Sequence, residues 1–285
     1  FQLESGTTAR MTVDVAPNCF DDLVALMALI RPGPMAMAPD YISRKHGKAE
    51  TSYLHPDMEP ILAETYGVAL YQEQVIRIAN VLAGFSMAEG DGLRKAMGKK
   101  LPEQMAKYRD RFISGCGENS IAKKLATEVF DLIEKFAGYG FPKAHSAAYA
   151  VIAAQTAYLK ANHPVEFMAA LLTSELGNTE RIVALLAECR RSGIVVLPPS
   201  INHSGVEFSV EPHETGKAVR FGLAAVKNVG TGAVTSIVAQ RNATPNHAFG
   251  SLSALCDAIE WGTVHRRVLE SLAKAGALLD GSGLR

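Results

Sequence analysis

The feature that most constrains the fold is a change of hydrophobic period along the chain. Up to about residue 193, apolar side chains recur at three- and four-residue intervals; beyond Gly193 they alternate or run together. Phe20, Leu23, Val24, Met27 and Ile30 form one helical stripe, and Arg31-Pro32-Gly33-Pro34 stops it, because proline lacks a donor and clashes with the preceding turn. Val75, Ile78, Ala79 and Leu82 form a second face closed by Gly84; Leu125, Val129, Leu132, Ile133 and Phe136 form a third. Residues 152–161, 165–176 and 180–191 predict three more helices, separated by His163-Pro164 and Gly177-Asn178. Residues 40–60 are polar and read as irregular. Met27, Met35, Met37, Met87, Met97, Met105 and Met168 read as core filler, since a flexible thioether adapts to uneven gaps. Residues 194–199, 206–210 and 218–223 have the pattern of short strands. A mainly α chain follows, with a boundary near Pro199 and a short strand-containing linker. No repeat of solenoid period and no low-complexity tract interrupts it.

Composition narrows the partners only a little. The 285 residues are 48% hydrophobic and 20% charged, as in ordinary globular proteins, with zero formal net charge. Nothing global therefore announces nucleic acid, and any basic signal must be local. One tryptophan and 7% aromatics argue against a stacking platform for single strands. Cys19, Cys116, Cys189 and Cys256 are far apart with no CxxC pair, which predicts free thiols in a reducing cytosol and no zinc site. No apolar run approaches the length of a membrane span.

Local positive charge gathers in two clusters. The run FAGYGFPKAHSAAYA at 136–150 places Tyr139, Lys143, His145 and Tyr149 between a glycine-rich turn and an apolar helix. Gly138 and Gly140 suit a sharp turn, and Pro142 suits the first turn of a helix. His145 and Tyr149, four apart, share a face at a helix N-terminus, which favours anions. In the second cluster, Ser86 and Glu89 stand at capping-box spacing ahead of a helix carrying Arg94 and Lys95 and ending near Gly98, with Lys99 and Lys100 beyond. Two readings are open from spacing alone. The clusters are either a helix start with amphipathic tyrosines and a helix-end charge patch, or a cradle for a phosphorylated, aromatic ligand such as a nucleotide.

A third pattern lies beyond the boundary. Residues 222–238 read as helix, glycine hairpin, helix, with Val229, Ala233 and Ile237 at packing positions. Lys227, Val229, Gly230, Thr231 and Gly232 are the candidate DNA-binding stretch, since backbone N–H groups at such a turn can bind a phosphate without reading a base. A plain helix–helix turn has the same bare GxG. Residues 251–261 and 264–275 predict two further short helices.

Five stretches occur in an order that resembles one family. They are Phe1-Gln2-Leu3-Glu4-Ser5, Arg31-Pro32-Gly33-Pro34-Met35, Tyr71-Gln72-Glu73-Gln74, LRKAMGKK at 93–100, and the run at 136–150. Together with RRVLESLAKAGA at 266–277, they resemble the alpha (catalytic) subunit family of bacterial DNA polymerase III, the C-family replicative polymerases. The resemblance implies a multi-helix fingers domain over 1–199, with its first residues at the palm junction. It implies a short β linker plus helix-hairpin-helix module over 200–285. Because the chain starts inside a family motif, an internal fragment is expected. The palm aspartates that hold Mg2+ and a phosphoesterase-like domain would precede it, and the sliding-clamp-binding region would follow. No catalytic residue and no metal ligand is then expected within the chain. The implied partners are primer-template DNA, a dNTP, and the clamp and other replisome subunits through regions outside it, in the cytoplasm and with no membrane.

By the same resemblance, Arg94, Lys95, Lys143 and His145 neutralise the dNTP phosphates, while Tyr139 and Tyr149 line the base or sugar side. Two departures bear on this. The family often has two arginines where this chain has Arg94-Lys95, and lysine loses the bidentate fork. It often has asparagine at the Pro142 position. Arg31, in the Arg-Pro-Gly-Pro turn, either reaches nucleic acid or caps the preceding helix, and the structural role is favoured; Glu73 reads as a surface partner of Arg77 or an organiser of the pocket with Gln72 and Gln74. The rivals are a non-catalytic nucleic-acid-binding scaffold and a nucleotidyltransferase of another family. The second needs its own carboxylate pair, and Glu89/Asp91 and Asp21/Asp22 read instead as helix-start acids.

Overall fold

A computed structural model of the chain describes residues 1–99, 101–137, 140–214 and 216–279. The fold is mainly α, and the chain divides into two compact units, Phe1–Ala157 and Tyr158–Arg285.

The first unit has two cores. Helices α1 (Gly6–Val15), α2 (Phe20–Leu29) and α3 (Ala38–Lys45) surround Val15, Leu26, Met27, Leu29 and Tyr41. A buried ion pair joins α2 to α3: Lys45 Nζ lies 2.9 Å from Asp22 Oδ2, with the side chains only 4% and 2% exposed. Helices α4 (Glu59–Leu62), α5 (Gln72–Ala83), α6 (Met87–Gly98), α7 (Pro102–Glu118) and α8 (Lys123–Ala137) enclose Leu93, Phe112, Phe130 and Phe136. The boundaries have local causes. Gly84 ends α5 in the left-handed region at φ +61. Ser86 Oγ accepts from the Glu89 N–H at 3.2 Å, while Glu89 Oε2 accepts from the Ser86 N–H at 2.8 Å, the expected capping box of α6. From α7, Arg111 donates to the carbonyls of Ala83 (3.2 Å) and Gly84 (3.4 Å), covering the open end of α5. Helix α9 (Lys143–Asn162) begins in this unit and adds Ala150 and Ala153 to the first core.

In the second unit, α10 (Pro164–Ser174) and α11 (Thr179–Arg191) cover a sheet of three short strands. These are β1 (Val196–Leu197), β2 (Ser209–His213) and β3 (Gly216–Arg220), ordered β1-β3-β2, with β1 parallel and β2 antiparallel to β3. Arg220 grips Glu211 across the β2–β3 pair with two bonds of 3.0 and 2.5 Å. This holds the Glu211 carboxyl below the usual carboxylate range. Helices α12 (Thr231–Ala243), α13 (Leu252–Ala258) and α14 (Arg266–Lys274) form the unit's other core around Ile201, Val234, Ile237, Phe249, Leu255 and Leu272. Arg241 is buried there and donates to the carbonyls of Ile201 (3.0 Å) and Ser204 (2.7 Å). Pro199 falls inside this second unit, after β1 and just before Ile201 of that core.

Several expectations change. Residues 40–60 are not irregular throughout: α3 reaches Lys45, and its short span shows no stripe because only Ala38 and Tyr41 of it are buried. Helix α7 escaped the periodicity because glycine and cysteine occupy part of its buried face, at Gly115 and Cys116. The helix expected over 152–161 is the end of the 20-residue α9. Met87 is 65% exposed and fills no core, although Met27, Met97, Met105 and Met168 do. The helix expected before the glycine hairpin is only a 3-10 turn, Leu223–Ala225. The Leu223 and Ala224 N–H groups go instead to the carbonyls of Gly205 and Val206, which draws the backbone out of a helical ladder.

Candidate nucleotide and nucleic-acid interface

The segment entering α9 docks on the start of α5. Tyr71 and Phe141 form a parallel bridge, with Gln72 N donating to Phe141 O (3.1 Å) and Phe141 N donating to Leu70 O (3.2 Å). Gln72 Nε2 donates to Gly140 O at 2.8 Å. Glycine at 140 has a packing reason, since an added Cβ would lie 2.8 Å from Phe136 Cε1 and 3.1 Å from Gln72 Cγ. Gln74 is buried; its Oε1 accepts from the Leu70 and Tyr71 N–H groups, and its Nε2 donates to Thr65 Oγ1. Gln72 is partly buried and Gln74 fully so, and both hold the corner together rather than forming a free helix start.

This corner brings the two basic clusters together. Arg94, on α6, donates from Nη1 to Gln72 Oε1 at 3.4 Å, and Gln72 is the residue that holds Gly140. Arg94 also grips Asp91 Oδ1 through Nε (2.8 Å) and Nη2 (2.7 Å). Lys95 reaches Asp91 Oδ2 at 2.8 Å and is 61% exposed, so it stands on the outer side. Hydrogen bonds from Lys95 and Arg94 hold the Asp91 carboxyl below its ordinary range. On α9, Lys143 Nζ pairs with Glu64 Oε2 and lies 5.6 Å from the Tyr71 ring centre. The His145 ring lies edge-on to Phe141 (5.2 Å) and closer to face-on to Tyr149 (4.3 Å, 30°). Tyr149 also packs on Phe1, and it is partly buried against the first core. Tyr139 lies outside the described residues.

Two readings of the residues are revised. Glu73 does not pair with Arg77: both its oxygens accept from the Lys143 backbone N–H, at 3.1 and 2.9 Å. The N-terminus of α9, expected to favour an external anion, is already served by this carboxylate. Asp22 is more than a helix-start acid. Burial raises its pKa, but donation from Asn18 N–H, Lys45 and Tyr41 outweighs burial and holds the carboxyl below the usual range.

In the second unit, Lys227, Gly230, Thr231 and Gly232 are exposed at the start of α12, while Val229 is buried with Ala233 and Ile237 in the core. Val229 therefore offers only its backbone. The left-handed residue of the hairpin is Asn228 (φ +65), not a glycine; Gly230, the N-cap, sits at φ −79. An added Cβ at Gly230 or Gly232 would meet nothing within 4 Å. Asn228 Oδ1 accepts from Arg267 Nη2 at 3.1 Å, which brings a second cation to the hairpin. Sequence spacing gave no signal for that arginine, 39 residues away.

Among the described residues, no group of three or more His, Cys, Asp or Glu side chains could hold a metal ion, and no helix is long and apolar enough to cross a membrane.

The family described as bacterial DNA polymerase III alpha subunit finger domain matches residues 1–120, and the helix-hairpin-helix motif family matches residues 193–284. Among curated proteins, the DNA polymerase III subunit alpha of Pseudomonas aeruginosa is 47% identical over 98% of this chain. Those of Escherichia coli K12 and Haemophilus influenzae are 46% and 48% identical over 97% of it. In each case the chain spans 24% of the relative's length. The chain belongs to the bacterial DNA polymerase III alpha-subunit family, of which it carries the finger domain and a helix-hairpin-helix motif.

Proposed function

We propose that this chain is the part of a replicative DNA-directed DNA polymerase that holds the triphosphate of an incoming dNTP and grips duplex DNA. The observation that carries the reading is the meeting of Arg94 with the 140–149 segment through Gln72. Arg94 and Lys143 are the inner phosphate ligands, and Lys95 is the outer one. His145 and Tyr149 offer an aromatic face to the sugar or base, with Tyr139 assigned to the same side by resemblance alone. Each inner cation rests on an exchangeable carboxylate, Asp91 or Glu64, in a partly exposed pair that solvent and salt screen. A triphosphate, with more charge and more acceptors than one carboxylate, displaces them and is held in line by charge-assisted bonds.

Residues 200–285 then act as a sequence-independent grip. The exposed start of α12, with Lys227 and Arg267 beside it, suits backbone phosphates rather than base edges. Residues 1–199 form the fingers portion. The family's chemistry calls for Mg2+ to activate the primer hydroxyl and stabilise the leaving pyrophosphate. By the resemblance alone, we assign its ligands, and the contacts to clamp and other replisome subunits, to other parts of a longer cytoplasmic protein.

The test is Arg94→Ala in the full-length protein, read by single-turnover incorporation against nucleotide concentration. Loss of a charge-assisted phosphate contact lowers the ratio of rate to Michaelis constant by about ten- to a hundredfold. Unchanged apparent nucleotide affinity and maximal rate, with the fold intact by circular dichroism, would leave the cluster as a helix-end charge patch.

A further inference from the structure

Arg31 stands at the same corner, and no carboxylate neutralises it. Its guanidinium carbon lies 5.2 Å from the centre of the Phe141 ring, which also meets the His145 ring edge-on. Among the described residues it has no ion-pair or side-chain hydrogen-bond partner, and its Nε is buried without an acceptor. Among the described residues, the other buried side-chain atom in that condition is Ser146 Oγ, on α9 and next to His145 in sequence. Buried polar groups are almost always satisfied, so the orphaned Arg31 Nε beside the Phe141 ring marks a place where a ligand supplies the missing partner.

The backbone supports that reading over a structural role. The structural reading of Arg31 is a cap on α2, but its side chain donates to none of that helix's carbonyls. The capping is done by backbone groups, Ile30 N to Leu26 O (3.1 Å) and Arg31 N to Ala28 O (3.2 Å), and Met35 N then closes the next turn on Arg31 O (2.9 Å). Pro32 and Pro34 fix two of the next three φ angles, so the guanidinium is carried by a stiff turn rather than a mobile loop. A rigid fork of donors, stacked on an aromatic face and lacking a counter-charge, is suited to phosphate.

We propose that Arg31 is a further phosphate-binding residue at the edge of the candidate nucleotide site. It donates to a phosphate oxyanion presented beside the Phe141, His145 and Tyr149 rings. The inference rests on the nucleotide reading above for the location of the site. The shared chemistry is a phosphate oxygen, from either the triphosphate or the DNA backbone, and the test separates the two.

Arg31→Met keeps the aliphatic stem over Phe141 and removes the fork; Arg31→Lys keeps a cation. In the full-length protein, two affinities are measured: that of dTTP for the complex with a dideoxy-terminated primer on an adenine template, and that of the primer-template itself across a salt series. With the triphosphate as source, Arg31→Met weakens dTTP binding by about ten- to a hundredfold and leaves DNA affinity unchanged, with Arg31→Lys between it and the native protein. With the DNA backbone as source, dTTP binding holds, while DNA affinity falls and the logarithmic salt slope drops by about 0.9. If Arg31→Met changes neither, the proposal is overturned, whatever happens to the melting temperature. Arg94→Ala, measured alongside, tells the two failures apart. If it weakens dTTP binding while Arg31→Met does not, only the Arg31 assignment falls; if neither does, the nucleotide site falls too.

Discussion

Asp22 and Lys45 sit 23 positions apart, one at the start of α2 and the other at the end of α3, and both are almost wholly removed from water. Two charges in that position are tolerated only because they neutralise each other and because Tyr41 and the Asn18 N–H satisfy the remaining oxygen capacity. Removing one partner strands the other. Asp22→Asn should therefore destabilise the first unit by about 3–5 kcal/mol, read from denaturant unfolding, and Asp22→Leu/Lys45→Met should recover much of the loss. The pH dependence has a defined sign. The folded carboxyl lies below its ordinary value of about 3.9, so its contribution is complete above roughly pH 5 and fades as pH falls through the folded pKa. The native protein and Asp22→Asn should converge in stability on acidification. A constant gap down to strongly acid pH would show that the pair contributes through shape rather than charge.

Helix α7 approaches the end of α5 so closely that a side chain is excluded at one point. A Cβ at Gly115 would lie 2.0 Å from the Ala83 carbonyl oxygen and 2.5 Å from Arg111 Nη1. Gly115→Ala should cost about 1–3 kcal/mol or more, because backbone must move. Gly117→Ala, two residues on with nothing within 4 Å of the added Cβ, is the matched control and should be neutral or slightly stabilising. Melting temperatures of the two variants that fall together would refute the close-approach argument. The start of α12 offers the opposite case. Because a Cβ fits freely at Gly230 and Gly232, alanine there leaves the fold undisturbed and obstructs only what comes from outside. Gly230→Ala/Gly232→Ala should weaken binding to several unrelated duplexes about equally at fixed salt, since amide donors read phosphate and not bases. A loss on one sequence only, or none, removes this hairpin from the DNA interface.

The whole chain corresponds to 24% of its relatives' length. Its proposed part in the reaction is to position the triphosphate and hold the duplex. Purified alone, it should not extend a primer with Mg2+, and a rate enhancement from positioning requires the reacting groups it would position. Extension by the isolated, folded chain, with contaminating polymerase excluded, would overturn the division of labour proposed here. The same preparation should still bind duplex DNA through its second unit, with an affinity that falls as salt rises.

Local rules determined a good deal on their own. The stripes of α5, α8, α10 and α11 were legible because each buries an apolar face, whereas α2 departs from its expected stripe: Phe20 is exposed and every residue from Val24 to Leu29 is buried. The capping box at Ser86 and Glu89 and the stop at Gly84 follow from chemistry within a few residues. The family, too, was legible from a handful of ordered words. What spacing could not carry was partnership between residues far apart in sequence. Glu73 on the Lys143 N–H, Gln72 between Arg94 and Gly140, Asp22 with Lys45 and Arg267 with Asn228 each span 22 or more positions. An isolated glutamate beside an arginine four residues on looks like a surface pair. Only the packing of α9 against α5 gives its carboxylate a backbone N–H to accept from instead. Likewise the sequence of residues 222–238 suggests two helices, yet the N–H groups of Leu223 and Ala224 find carbonyls in a loop rather than a helical ladder. Periodicity reports which face is buried; tertiary structure decides what that face, and the polar groups at its edges, meet.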